Sequence, residues 1–186
     1  MNKSRQHNPL TSFFYNKTKL RLVGLFLLLV VLMFLFLPMF ENFLSIEENI
    51  PSLDKPYMYS PDEVFEVLTG WGEDGRIKQF QFHITWDILL PGVYFFFLGF
   101  LIAWLTKRGF RQNSKWQNLC LLSSVAVIDV LENITLFLLI LVYPSKIDIL
   151  SWLKTGLTLI KYYIFGPAIL SALFFSGIHA GKNRFT

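Results

Sequence analysis

LVGLFLLLVVLMFLFLPMF, residues 22–40, lies between Arg21 and Glu41 without one charged side chain. A helix rises about 1.5 Å per residue, so this run reaches roughly 28 Å, the thickness of a bilayer's hydrocarbon core. It is longer than the apolar region of a signal peptide, about 7–15 residues, and no small-residue cleavage site follows it. It therefore reads as a retained membrane span. Three more apolar runs follow. Ile88 to Thr106 is free of charge. Trp116 to Tyr143 is interrupted by Asp129 and Glu132, and about Ile149 to Ile178 by Lys154 and Lys161. Spans are expected at about 20–40, 85–106, 116–143 and 149–180, with an exoplasmic segment at 41–84, in a single membrane domain 1–186.

Composition agrees. Of 186 residues, 53% are hydrophobic and only 16% charged, 20 are Phe, and mean hydropathy is +0.46. A soluble domain carries nearer 25% charged residues, so a soluble globular fold and intrinsic disorder are both excluded. The fold class expected is all-α, an integral membrane four-helix bundle. Cys120 is the single cysteine, which excludes an intrachain disulfide and the paired-cysteine chemistry of membrane disulfide oxidoreductases. The net charge of +4 reads as cytoplasmic anchoring rather than nucleic-acid binding.

Loop charges set the orientation. Lys3, Arg5, Lys17, Lys19 and Arg21 precede the first span with no acid among them. Lys107, Arg108, Arg111 and Lys115 lie between spans two and three, and Lys182 and Arg184 follow span four. The 41–85 segment instead holds nine acids (Glu41, Glu47, Glu48, Asp54, Asp62, Glu63, Glu66, Glu73 and Asp74) against Lys55, Arg76 and Lys78. Positive-inside then places both termini in the cytoplasm of a multi-pass plasma (cell inner) membrane protein. In the exoplasmic segment, Ser60-Pro61-Asp62-Glu63 is a capping box that starts a short amphipathic helix, with Gly70 as its stop and a tight turn through Gly72 and Gly75. This helix is expected to lie on the outer membrane face or to cap the bundle, as an inert lid or as a gate for ligand access.

The informative residues lie inside the spans. Asp129, Glu132 and Asn133 stand at i, i+3 and i+4 and share a helix face. Lys154 and Lys161, seven apart, share a face of span four. Asp129 lies near the middle of span three, and Lys161 roughly 18 Å into span four, so their depths match. Lys161 is expected to meet Asp129, and Lys154 to meet Glu132 or Asp87. An unpaired charge at a span centre costs about 2.5–3.5 kcal/mol, so four would cost on the order of 10 kcal/mol. This face must therefore turn inward, with spans three and four adjacent. Pro91, four after Asp87, cannot donate to the Asp87 carbonyl and pushes it aside, leaving a free acceptor beside a carboxylate. Tyr94 lies one turn further in. His83, four before Asp87, reads as a partly solvated interfacial histidine or as a proton relay with Asp87. The 95–97 Phe run reads as lipid-facing or packing bulk. Pro38 and Pro167 are expected to kink spans one and four. No phosphate-binding glycine loop, nucleophile elbow or HExxH motif is present in the sequence.

Gly75-Arg76, Asp87-x-x-x-Pro91-x-x-Tyr94 and Asp129-x-x-Glu132-Asn133 resemble a pattern in uncharacterised bacterial four-span membrane proteins, over roughly residues 57–165. A more distant resemblance is to the EXPERA group, which includes emopamil-binding protein and the sigma-2 receptor. There, an acid in a span followed by proline, as in Asp87 and Pro91, and a preceding amphipathic helix, as in Tyr57 to Leu68, imply a pocket for sterol-like ligands. The first span here lacks that group's internal acid, and its pattern does not include the two span-four lysines.

The functional expectation is a buried Asp/Glu/Lys cluster that binds a small or lipid-like ligand or relays protons. It comprises Asp129, Glu132, Asn133, Lys154, Lys161, Asp87, Tyr94 and His83, with no catalytic residue, metal or cofactor assigned. Alternatives are an enzyme that moves protons on a hydrophobic substrate through a carboxylate, or an accessory subunit whose ion pairs only fix packing. Expected partners are the lipid bilayer and either a hydrophobic small molecule or a protein, with no nucleic acid. Alkaline phosphatase fusions check the orientation: a fusion after Glu66 will be active and one after Arg111 inactive, and the reverse pattern would overturn it.

Overall fold

The computed structural model describes residues 8–44, 52–109 and 118–182, with side chains for 8–40, 52–109 and 118–181. Lys3, Arg5, Glu47, Glu48, Arg111, Lys115, Trp116 and Arg184 lie outside the described residues, as do the side chains of Glu41 and Lys182. The fold is all-α. Among the described residues, four helical segments are long and apolar enough to cross a membrane: Leu20–Phe40, Gly72–Gly109, Asn118–Val142 and Asp148–Gly181.

Helix α2 (Leu20–Leu44) is apolar on every side. It leans on the long central helix through Phe26 stacked on Phe96 and Phe40 stacked on Trp86, both at 5.4 Å between ring centres. Leu25, Leu28, Leu35 and Phe36 stay exposed, as suits side chains whose solvent is lipid. The helix runs on through Pro38 without a break.

Helix α3 (Pro61–Gly70) begins as its sequence dictates. The Ser60 hydroxyl accepts from the Glu63 N–H, and Glu63 in turn accepts from the Ser60 N–H at 2.7 Å. These bonds hold the Glu63 carboxyl below its ordinary range. The expected turn through Gly75 is absent. Helix α4 (Gly72–Gly109) starts at once, because the positive φ of Gly72 (+64°) redirects the chain in one residue. Glu73 and Asp74 then occupy the first turn, where the helix dipole favours acids. Arg76 donates to the Leu68 carbonyl at 2.9 Å and satisfies an end-of-helix acceptor on α3. At 38 residues α4 is about 57 Å long, far more than a bilayer's apolar thickness, so its first turns stand with α3 beyond the span.

The third span is a 3₁₀ lead-in, Asn118–Ser124, running into α5 (Val125–Val142). The fourth is α6 (Asp148–Leu159), a π-helical stretch Ile160–Phe165, and α7 (Gly166–Lys182). Pro167 follows the π stretch with only Gly166 between, and its missing N–H disfavours a regular α turn before it. Helices α5 and α6 are antiparallel neighbours, and α4 touches α2, α5 and α7.

Two cores form. One gathers Leu53, Val64, Leu68 and Trp71 against Leu136 and Leu139 of α5, so the segment around α3 caps the bundle rather than lying flat on a lipid surface. The other was not legible as a core. Residues before the first span, read only as positive anchors, form helix α1 (Pro9–Lys17). Its Phe14 is fully buried, with its ring 5.4 Å from that of Phe95 and 5.2 Å from that of Phe100. Phe95 and Phe96 are thus packing residues. Gly99 leaves room for the Phe14 ring, which a Cβ there would overlap. Phe14→Ala will cost about 3–5 kcal/mol by thermal melts in detergent. Gly99→Ala will also destabilise, and Phe14→Leu in the same chain will recover part of that loss.

Candidate functional site

Three residues of α5 and three from the fourth span make one buried network. Glu132 (0% exposed) and Lys154 (1%) pair at 3.0 Å through Glu132 Oε1. Lys161 reaches the other oxygen, Oε2, at 2.7 Å and Asp129 Oδ1 at 2.6 Å. Thr158 donates to Glu132 Oε1 at 2.6 Å. Each Glu132 oxygen therefore has an ammonium partner, the condition under which a buried carboxylate is tolerated. The helical spacing is the local cause: 129, 132 and 133 share a face of α5, and 154, 158 and 161 share the opposing face.

Helix α4 closes the network from the other side. Pro91 is buried, and the Asp87 carbonyl it frees accepts from the Asn133 side-chain N–H at 2.7 Å. Tyr94 donates to Asp129 Oδ2 at 2.8 Å. The helix break is thus repaired by a side chain of α5, which ties the two spans together.

Of the two partners expected for Lys154, Glu132 is met and Asp87 is not; its second carboxylate is Asp54 at 3.2 Å, and it also donates to the Leu53 carbonyl. One expectation needs correction. His83 is not a partly solvated interfacial group: it is 3% exposed, with Nδ1 2.5 Å from Asp87 Oδ2 and Nε2 3.8 Å from Asp54 Oδ2. Asp54 and the Leu53 carbonyl are the site groups that sequence reasoning missed. The loop carrying them is held in place by Thr155 donating to the Tyr59 carbonyl at 3.1 Å and Tyr163 donating to the Pro56 carbonyl at 3.3 Å. The local signal is Leu53, an apolar residue directly before Asp54 in the loop, which is 1% exposed. Burial alone would raise the Asp54 carboxyl, but the His83, Lys154 and Lys161 charges outweigh it and hold Asp54 at about 2.

A cavity of about 430 Å³ opens beside the network. Asp54, Asp87, Asp129, Lys161 and Tyr94 line its polar side, and Leu90, Val125 and Ile169 its apolar side. Its size and mixed lining fit a small organic ligand. A smaller groove of about 220 Å³, almost wholly apolar, meets the same region from the α4–α5 side through His83 and Asn133. Comparison of the chain with protein-family models, curated proteins and solved structures returned no match.

The pairing has a thermodynamic signature. Lys154→Met removes the ammonium partner shared by Asp54 and Glu132 Oε1 and will lower stability by about 3–5 kcal/mol. Adding Glu132→Gln will restore part of that loss, giving a coupling of about 1–3 kcal/mol in a double-mutant cycle of melting transitions. Strict additivity would mean that the two groups do not act as a pair.

Proposed function

We propose that this chain is a multi-pass plasma-membrane protein, termini cytoplasmic, whose cleft binds a small ligand carrying a positive charge on a partly apolar body. The network holds four carboxylates (Asp54, Asp87, Asp129 and Glu132) and two ammonium groups (Lys154 and Lys161). Its formal charge is −2 with a neutral His83 imidazole and −1 with an imidazolium. Uncompensated charge at membrane depth is expensive, so the site favours a cation. The observation that carries this reading is the cavity itself: three of the carboxylates line it, with Leu90, Val125 and Ile169 opposite. Ion pairs that served packing alone would need no such space. The resemblance of Asp87 and Pro91 to the EXPERA pattern supports an apolar body on the ligand.

A second reading, an enzyme moving protons on a hydrophobic substrate, draws on Asp87. It faces the same cleft and is paired with His83 rather than with a lysine.

The test is a melting series on chelator-treated protein in mild detergent, using a lipophilic primary amine with the alcohol and carboxylic acid of the same skeleton. The amine will raise the melting temperature in a saturable way. The alcohol and acid will not, and Asp87→Asn will remove the amine's effect. Equal shifts from amine and alcohol would overturn the reading.

A further inference from the structure

We propose that Asp54, His83 and Asp87 form a binding site for one divalent transition-metal ion of the zinc class at the edge of the cleft. This rests on the cation-binding reading above, since the same uncompensated charge calls for it, and names a metal ion that would take that charge at the place of an amine. One ring nitrogen of His83 and one carboxylate oxygen from each aspartate lie within 4.8 Å of one another. Zinc holds such donors at about 2.0–2.2 Å, so ligands of one ion stand up to about 4 Å apart. The approach still needed is small, and Asp54 sits on a loop whose side chain can supply it.

His83 itself points to a ligand. Its ring is buried, with Nδ1 against Asp87 Oδ2 at 2.5 Å. Nε2 is 3.8 Å from Asp54 Oδ2, beyond hydrogen-bond range. A buried imidazole set between two carboxylates favours a positive charge at that point. A divalent ion on one ring nitrogen, with an oxygen of each aspartate beside it, supplies that charge.

The elements position the donors independently. His83 and Asp87, at i and i+4, present two ligands on one face of α4. Lys154 holds Asp54 Oδ1 at 3.2 Å, which leaves Oδ2 toward His83, the kind of outer contact that orients a metal-bound carboxylate. Charge decides the valence: a divalent ion brings the −2 network to zero, whereas a protonated His83 brings it only to −1. Imidazole with two carboxylates suits zinc, iron or manganese rather than calcium. Because Asp54 and Asp87 line the cleft, the remaining coordination positions of the ion face that space.

The experiment uses full-length protein in detergent, stripped with chelator and then given ZnCl2, with bound zinc counted by elemental analysis after desalting. The inference expects about one zinc per chain and a raised melting temperature. It also expects zinc affinity at least about tenfold weaker in His83→Gln and in Asp54→Asn. CoCl2 in place of zinc will give visible absorption that depends on His83. The Asp129→Asn, Lys161→Met double variant lies outside the donor set and will keep the zinc. Zinc binding that is far below one per chain, or equal in wild type and both donor variants, would overturn the inference. The amine response separates the two proposals. A wild-type protein that answers the amine but binds no zinc leaves the cation-binding reading standing and removes the metal. An amine shift that persists in His83→Gln shows that the variant is folded, so that its loss of zinc reports the missing donor.

Discussion

A carboxylate cannot stay ionised in a dry helical bundle unless cations meet it, and Glu132 is the point where that demand is most severe. It is wholly buried, and its two oxygens are taken by Lys154 and Lys161. Satisfying both from one helix requires the fourth span to run antiparallel to α5, at matching depth, with its lysine face turned inward. The contact between the last two spans is therefore an electrostatic necessity before it is a packing preference. The rest of the polar core attaches to it: Asp129 shares Lys161, Tyr94 donates to Asp129, and Asp54 shares Lys154.

Proline shapes the site twice, in different ways. In α4, Pro91 releases the Asp87 carbonyl, and Asn133 takes it up, so a local defect becomes an interhelix bond. In the fourth span, Pro167 stands just after a π-helical stretch that contains Lys161. There the Gly166 N–H reaches back five residues to the Lys161 carbonyl. That wider turn lets Lys161, Gly166 and Ile169 all line the cleft. Helix irregularities of this kind concentrate where a site must be opened within an otherwise regular bundle.

Aromatic packing does the corresponding work at the other end of α4. Phe14, Phe95, Phe96 and Phe100 cluster around Gly99, so α1 is anchored by a core of its own instead of by charge alone. Lys107 still contributes, donating to the Tyr15 carbonyl, but its role is to satisfy a helix end. The two cores sit on either side of the charged layer. The polar groups are thus enclosed between apolar clusters rather than open along the length of the bundle.

The residues themselves were enough to count the spans, because a helix of a given length crosses a membrane of a given thickness and charge is excluded between its ends. They were enough to put Asp129, Glu132 and Asn133 on one face and the two lysines on another, since helical period is local. The Ser60 capping box and the freed Asp87 carbonyl were legible for the same reason. Three things were not. The burial of His83, the fold-back of α1 through Phe14, and the arrival of Leu53 and Asp54 about 100 positions from Lys154 all depend on contacts distant in sequence. Local pattern sets which atoms need partners. Which partners answer is a property of the folded chain, because a loop's destination depends on every surface it could cover, and no period along the chain encodes it.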